Sequence, residues 1–154
     1  MADGDLSIIV EDRGISTALQ RKLSYLLDDP EVQEGVTQIV KDAMNKFVPR
    51  ATGNLAKSAE VVDDEITWTA PYANYQYVGE VYGPNFQVMI DGELQWRSRK
   101  GKGNKFPMGW DIVQHTPGTS AMWDTAMMSD ANARRSMNIR ITAYLKRMAR
   151  ERDL

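Results

Sequence analysis

The stretch Pro71-Tyr-Ala-Asn-Tyr-Gln-Tyr-Val-Gly79 decides how the chain turns, and it concentrates Tyr72, Tyr75 and Tyr77 in a few residues. Proline suits a first helical position and glycine suits the residue just past a helix end, so the pattern predicts a short helix. Tyr72 and Tyr75, three residues apart, then share a face. Two interpretations remain open. The helix caps the core with its hydroxyls at the edge, or its rigid amphipathic rings form a contact surface.

Two strands are predicted just before this stretch, over Ser58–Val62 and Glu65–Ala70, because apolar side chains alternate with threonines in the second. The carboxylates of Asp63, Asp64 and Glu65 lie at the turn between the strands. They are either solvated turn residues or metal ligands of a nuclease. The solvated interpretation is favoured, since no distant Glu or Lys pattern completes a metal site.

Two amphipathic helices are predicted upstream, after a loose arm over residues 1–13. Asp29 before Pro30 is a helix start, and the second helix should end before Pro49. Thr52 is expected to cap a further helix. The apolar stripes of the first two helices are expected in the core; they comprise Ile15, Leu19, Leu23, Leu26, Leu27, Val32, Val36, Ile39, Val40, Ala43 and Phe47.

A hairpin is predicted downstream of the tyrosines, after a loop over Val81–Asn85. Its strands are Phe86–Ile90 and Leu94–Ser98. An odd-numbered loop would pair Ile90 with Leu94 and gather the apolar side chains on one face, so this register is favoured. A two-residue turn would instead scatter apolar groups over both faces, which would itself suggest a partner subunit.

The run Arg97-Ser-Arg-Lys-Gly-Lys-Gly-Asn-Lys105 is basic, rich in glycine and without periodicity. It is predicted as part of a flexible loop over residues 97–109, because it has no apolar surface to bury. It is either a solvated hairpin extension or an arm that contacts an acidic protein neighbour or DNA. The candidate contact residues are Arg97, Arg99, Lys100, Lys102 and Lys105.

The C-terminal part is predicted as a strand over Trp110–Thr116, a turn, a helix capped by Ser120 and a last helix from about Ala131. His115 lies near the end of that strand, and an isolated histidine is expected to be structural. Many arginines and lysines line the last helix, which favours a solvated face or an acidic partner.

Composition narrows the function classes. The 154 residues, most simply one domain, include no cysteine and one histidine, which excludes thiol catalysis and sites that need two imidazoles. A net charge of −2 gives the whole protein no field that attracts nucleic acid. The sequence predicts no cofactor, no metal, no secretory signal and no membrane helix, and suggests synthesis in a reducing cytosol.

Three segments in order carry a family resemblance: Val48–Ser58 with a TGxLxxS pattern, Ala70–Gly79 with PYAxYQYxG, and Thr116–Met127 with PGTxxxW. The series resembles the minor capsid and head-to-tail connector proteins of long-tailed bacteriophages. The resemblance covers about Phe47 to the end. It does not account for the basic run after Trp96.

That resemblance implies a structural virion protein of the neck, made in the host bacterial cytoplasm and assembled as a ring, with six subunits as the expected number. Head-completion proteins and tail-terminator or tail-tube proteins would be its neighbours. DNA would pass through the lumen without sequence-specific binding.

The predicted fold class is α+β, with a mainly antiparallel sheet of four to five strands, two N-terminal helices and C-terminal helices packed on the sheet. Two other functions remain as alternatives. One is a nucleic-acid-binding module that uses residues 97–105, which a steep salt dependence of DNA affinity would favour. The other is a hydrolase using Asp63, Asp64 or His115, which divalent-metal binding would favour.

We predict that the basic run is dispensable for folding and needed for assembly. Replacing Lys100, Lys102 and Lys105 together by Glu should shift the thermal midpoint by no more than about 2 °C, because exposed substitutions have small effects. Joining of heads to tails should fall, and more so in moderate salt. Normal assembly of the variant would show that the run is only a solvated extension.

Overall fold

The computed structural model describes residues 17–83, 85–98, 106–114 and 116–154, and within them shows six helices and six strands. In chain order these are α1 Thr17–Leu27, α2 Pro30–Met44, α3 Asn54–Lys57, β1 Ala59–Val62, β2 Glu65–Trp68, α4 Ala73–Val78, β3 Glu80–Gly83, β4 Asn85–Ile90, β5 Glu93–Ser98, β6 Phe106–Asp111, α5 Trp123–Ser129 and α6 Ala131–Glu151.

The strands pair as three two-stranded antiparallel sheets: β1 with β2, β3 with β6, and β4 with β5. The α+β class is therefore confirmed, but the expected single sheet of four to five strands is wrong among the described residues. The C-terminal helices also differ from the expectation, since α5 and α6 pack chiefly on α2 and on each other. Helix packing, rather than one broad sheet, forms the centre of the fold.

Helix α2 begins and runs as the sequence predicts. The Asp29 side chain accepts a hydrogen bond from the Glu31 backbone N–H at 2.9 Å, and Pro30 occupies the first turn. The helix ends at Met44, before Pro49. Its apolar stripe is buried along its whole length, which confirms the predicted core face; the buried members are Val32, Val36, Ile39, Val40, Ala43 and Met44.

Two groups of buried side chains form on α2. The smaller cluster joins Leu26 of α1 and Val32 and Val36 of α2 to Met148 near the end of α6. The main cluster joins the remaining α2 stripe to α3, α4, α5 and the first half of α6; it comprises Ile39, Val40, Ala43, Met44, Val48, Leu55, Ala73, Trp123, Met127 and Met137. Each long element thus buries its apolar side against α2.

Gly35 lets α2 and α6 approach closely, because a Cβ at that position would overlap the ring and hydroxyl of Tyr144. The Tyr144 hydroxyl donates to the Glu31 carbonyl at 3.2 Å, which brings α6 onto the first turns of α2. Arg152 binds the Asp29 carboxylate at 2.7 Å at the same end of the helix pair. Sterics therefore fix the spacing of the pair, and polar contacts fix its register.

Three helix starts differ from the sequence predictions. Thr52 is not the N-cap of α3; Gly53 is, with φ of 80°, and the Thr52 hydroxyl accepts from Asn54 N–H at 3.4 Å. Pro71 is not a first helical residue, because a turn bond from Ala73 N–H to the Ala70 carbonyl precedes α4.

Ser120 does not cap α5, whose N-cap is Met122 with φ of 43°. The Ser120 N–H donates to the Phe47 carbonyl at 2.9 Å, and the Ser120 hydroxyl donates to the carbonyl of Ala121 at 2.7 Å. Both hydrogen bonds of Ser120 therefore join it to residues outside α5.

Two strands also differ from expectation. The predicted loop over Val81–Asn85 is wrong, because β3 includes Val81 to Gly83 and pairs with β6. The strand predicted over Trp110–Thr116 lies earlier, at Phe106–Asp111. Since β5 continues through Ser98 and β6 begins at Phe106, strands extend into both ends of the expected flexible loop. The arm over residues 1–13 and residues 99–105 lie outside the described residues.

Across the described part of the chain, every helix is too short or too polar to cross a membrane.

We predict that Gly35→Ala lowers the free energy of unfolding by about 1–3 kcal/mol through overpacking against Tyr144. Helix propensity alone predicts the opposite sign, since alanine exceeds glycine by about 1 kcal/mol in a helix. Urea unfolding should show that Gly35→Ala becomes neutral or stabilising in a Tyr144→Ala background. Glu34→Ala, at the exposed neighbouring position, is the control. Equal losses in both backgrounds would contradict the proposed steric constraint.

Candidate interaction surfaces

The tyrosine segment is anchored to the core through Tyr77. Its ring packs edge-on against Trp123, with centroids 5.0 Å apart and planes at 83°. Its hydroxyl donates to the Asp124 carboxylate at 3.0 Å. Trp123 is only 2% exposed and also contacts the ring of Trp68 at 5.3 Å. Tyr77 therefore supports the core-capping interpretation of this segment.

Burial and the adjacent Asp124 carboxylate raise the pKa of the Tyr77 phenol above its usual value near 10. Both effects disfavour the phenolate, because desolvation penalises charge and a neighbouring anion repels it. Tyr77 thus remains a neutral donor to Asp124 at physiological pH, and the contact couples α4 to the first turn of α5.

Gly79 ends α4 as the sequence predicts, with φ of 78° in the left-handed region. A Cβ at this position would lie 2.6 Å from the Ala121 side chain, so a larger residue would displace the segment before α5. The Gly79 carbonyl accepts from Ile112 N–H at 2.7 Å. This glycine therefore joins α4 both to the segment after β6 and to the segment before α5.

Tyr72 and Tyr75 lie differently. Tyr72 precedes the first residue of α4 and is 42% exposed. Tyr75 is half-buried, and its ring lies 4.7 Å from that of Tyr82 in β3. Tyr77 is half-buried and packs against the main cluster, as the core-capping interpretation expects, whereas the Tyr72 ring is exposed. The contact-surface interpretation stays a prediction.

The β4–β5 hairpin has the register that the sequence analysis did not favour. Ile90 pairs with Glu93 and Val88 with Gln95 across a two-residue turn. Asp91 and Gly92 both have positive φ, 52° and 84°, as the favoured type I′ turn requires. The odd-numbered loop is therefore wrong, because the twist of the Asp-Gly turn outweighs the gathering of apolar side chains on one face.

This register leaves apolar side chains on both faces of the hairpin. Met89 and Leu94 are directly paired and are 63% and 62% exposed. Val88 and Ile90 lie on the opposite face and are half-buried. Sequence reasoning missed Met89 and Leu94 as candidate contact residues, although the Asp-Gly dipeptide was the signal that could have identified them.

The basic run is described only in part. Arg97 lies in β5, paired with Phe86 of β4. Arg99, Lys100, Lys102 and Lys105 lie outside the described residues. Their part in a contact surface remains a prediction.

The acidic turn of the β1–β2 hairpin is solvated. Asp63, Asp64 and Glu65 are exposed, and Asp63 adopts φ of 55° in the turn. Over the residues that the structure describes, no three His, Asp or Glu side chains gather into a metal-binding group. His115 lies outside those residues.

A family model described as "Minor capsid protein" matches residues 31–148, from the first turn of α2 to near the end of α6. The match includes the tyrosine segment, all six strands and most of both buried clusters. No curated protein and no solved structure matches the chain.

We predict that Tyr77→Phe costs about 1 kcal/mol of stability at neutral pH, because Asp124 loses its donor while the ring remains on Trp123. The raised pKa of Tyr77 means that its contribution is present below pH 10 and is lost as pH rises further. Wild-type stability should therefore fall more steeply above about pH 10 than that of the variant.

Denaturant unfolding from pH 7 to 11.5 or so measures both effects. Tyr72→Phe, at an exposed position, is the matched control and should leave the stability at neutral pH unchanged. Identical alkaline profiles for wild type and Tyr77→Phe would contradict the assignment.

Proposed function

Because the chain belongs to the minor capsid protein family, whose members are structural proteins of bacteriophage particles, we propose that it is a neck subunit joining the DNA-filled head to the tail. The three sequence segments that resemble head-to-tail connector proteins support the neck over other positions in the virion. All three fall entirely inside the family match, and they include α3, α4, and the turn before α5 together with most of that helix.

The exposed apolar side chains of the β4–β5 hairpin are the structural observation that supports the proposal. An isolated two-stranded hairpin is marginally stable in water, and exposed paired apolar side chains add an unfavourable surface. Met89 and Leu94 form such a pair, while Val88 and Ile90 give the other face apolar character. Contact with a neighbouring subunit would cover this surface, which suits a protein that functions in an assembly.

In the proposed assembly the subunits form a ring, with six copies as the expected number. A head-completion protein lies on one side and a tail-terminator or tail-tube protein on the other. DNA passes through the lumen without sequence-specific contacts, which the net charge of −2 suits. Tyr72 and the basic run are candidate contacts with the neighbours, and the isolated chain is monomeric or weakly associated.

The proposed role requires no catalysis. The chain lacks cysteine and has a single histidine, so thiol chemistry and paired-imidazole sites are unavailable to it. Its carboxylates at the β1–β2 turn are exposed to solvent. In this role the chain binds neighbouring subunits, and segments of it become ordered as they bind.

We predict that Met89→Glu combined with Leu94→Glu leaves the fold intact and blocks head-to-tail joining, because two charges replace the apolar pair. Purified variant should keep its thermal midpoint to about 2 °C. Electron microscopy of particles made with the variant should show full heads without tails. Gln87→Glu adds a charge to the same strand face and retains the apolar pair, so it should join normally.

A reconstruction of the wild-type virion tests the position itself. Density for this chain as a ring between head and tail is the expected result. Density in the icosahedral shell, or a tight dimer that persists in particles, would contradict the neck assignment.

A further inference from the structure

The outer face of the β1–β2 hairpin has an exposed apolar centre with an acidic rim. Val61 and Ile66 are paired and turn inward, so the pairs on either side of them turn outward. Val62, 65% exposed, is the apolar member of the outward set and the last residue of β1. Four exposed carboxylates surround it on the strands and the turn, from Glu60, Asp63, Asp64 and Glu65.

The outer face of α6 has the complementary character. Ile139 is 60% exposed and lies on the side opposite to the buried Met137 and Met148. Along the helix the same face carries small alanines and three cations and no carboxylate; the main members are Ala131, Arg134, Arg135, Ile139, Ala143 and Lys146. It therefore has an apolar centre with a basic rim.

Neither set of charges forms an ion pair within the described part of the chain. The ion pairs of α6 and of its C-cap residue involve Arg140, Arg147 and Arg152, which lie outside this face. None of them involves the carboxylates of the β1–β2 hairpin. Arg134 donates to the Met128 carbonyl, whereas Arg135 and Lys146 form no ion pair in that part of the chain.

The two outer faces cannot meet within one molecule. Ile66 and Trp68, on the inner face of the β1–β2 hairpin, pack against the main cluster. Met137, on the inner face of α6, belongs to the same cluster. Both elements therefore enclose a common core, and their outer faces are directed to solvent. Only a second molecule can bring the two faces together.

We propose that the outer face of the β1–β2 hairpin docks on the outer face of α6 in a neighbouring copy of this chain, with Val62 against Ile139 and acidic rim against basic rim. The dimensions are compatible, because four strand residues span about 13 Å and the α6 face spans about 22 Å. Complementary rims favour correct pairing and accelerate encounter. This inference rests on the proposed ring in the virion.

The contact is head-to-tail, since it joins two different surfaces. A heterologous contact of this kind closes into a ring or continues as a filament, and does not stop at a dimer. It therefore identifies which surfaces join subunits within the ring, and it leaves the β4–β5 hairpin for the layers above or below.

Disulfide trapping tests the contact directly, because the natural chain has no cysteine. A chain carrying both Val62→Cys and Ile139→Cys should give a ladder of covalent oligomers on mild oxidation. Either single variant can give only dimers, and mixing the two singles should give a 62–139 dimer in preference to either symmetric product. Tyr25→Cys with Ile139→Cys is the matched control and should give no ladder.

Charge reversal tests the rims. Glu60→Lys with Glu65→Lys, or Arg135→Glu with Lys146→Glu, should reduce the yield of the ladder at least about ten-fold. Mixing the two reversed chains restores complementarity at every contact of an alternating ring, so the yield should recover. Circular dichroism and thermal midpoints confirm that each variant is folded. Salt should weaken the wild-type contact.

The outcomes separate this inference from the proposed function. A ladder with correct rescue supports the contact, wherever in the virion the chain is found. A neck ring seen by microscopy in which residues 62 and 139 do not meet overturns the contact and leaves the neck role standing. Loss of double-stranded DNA binding in the Arg135→Glu, Lys146→Glu chain, without any ladder from the cysteine pair, also overturns it and identifies DNA as the occupant of the α6 face.

Discussion

The burial of α2 along its whole apolar stripe is the constraint on which the other elements depend. Its N-terminal half holds α1 and the end of α6, and its C-terminal half holds the main cluster with α3, α4 and α5. Burying a side chain of the size of Val, Ile or Met contributes about 1.5–3 kcal/mol, so the five such residues in the stripe supply a large part of the available stabilisation. Gly35 then fixes how closely α6 can approach. A chain that buries its helices in this way does not require a broad sheet for its core.

Trp123 links the β1–β2 sheet and α4 to the helical core. It is almost fully buried, and both Trp68 of β2 and Tyr77 of α4 pack their rings on it. Through these contacts a short helix and a two-stranded sheet, each too small to be stable alone, become parts of the helical core. The Tyr77 hydroxyl bond to Asp124 adds direction to the contact, because hydrogen bonds require specific geometry and ring packing less so.

Among the described residues, the three separate two-stranded sheets have outer strand edges that pair with no further strand. Monomeric proteins usually cover or shorten such edges, because an unpaired edge can bind another chain. In a minor capsid protein the same features are suited to assembly. The β4–β5 hairpin presents apolar pairs, whereas the β1–β2 hairpin presents a valine within an acidic rim. In the proposed ring, the different surface chemistries of the two hairpins would distinguish neighbours within the ring from neighbours in adjacent layers.

The sequence by itself determined the local features: the start of α2 at Asp29, its buried stripe, the left-handed end of α4 at Gly79, the α+β class and the family, which its ordered motifs indicated. These depend on contacts between residues a few positions apart, which sequence periodicity and capping chemistry report. The register of β4 and β5 was also present in the sequence, because the Asp91-Gly92 dipeptide favours the two-residue turn that the hairpin adopts. The tertiary structure decided how the strands pair into separate sheets and which tyrosine packs on Trp123. Those outcomes depend on long-range contacts, such as Tyr77 with Asp124, which no local pattern contains, since they are settled only when distant elements pack against one another.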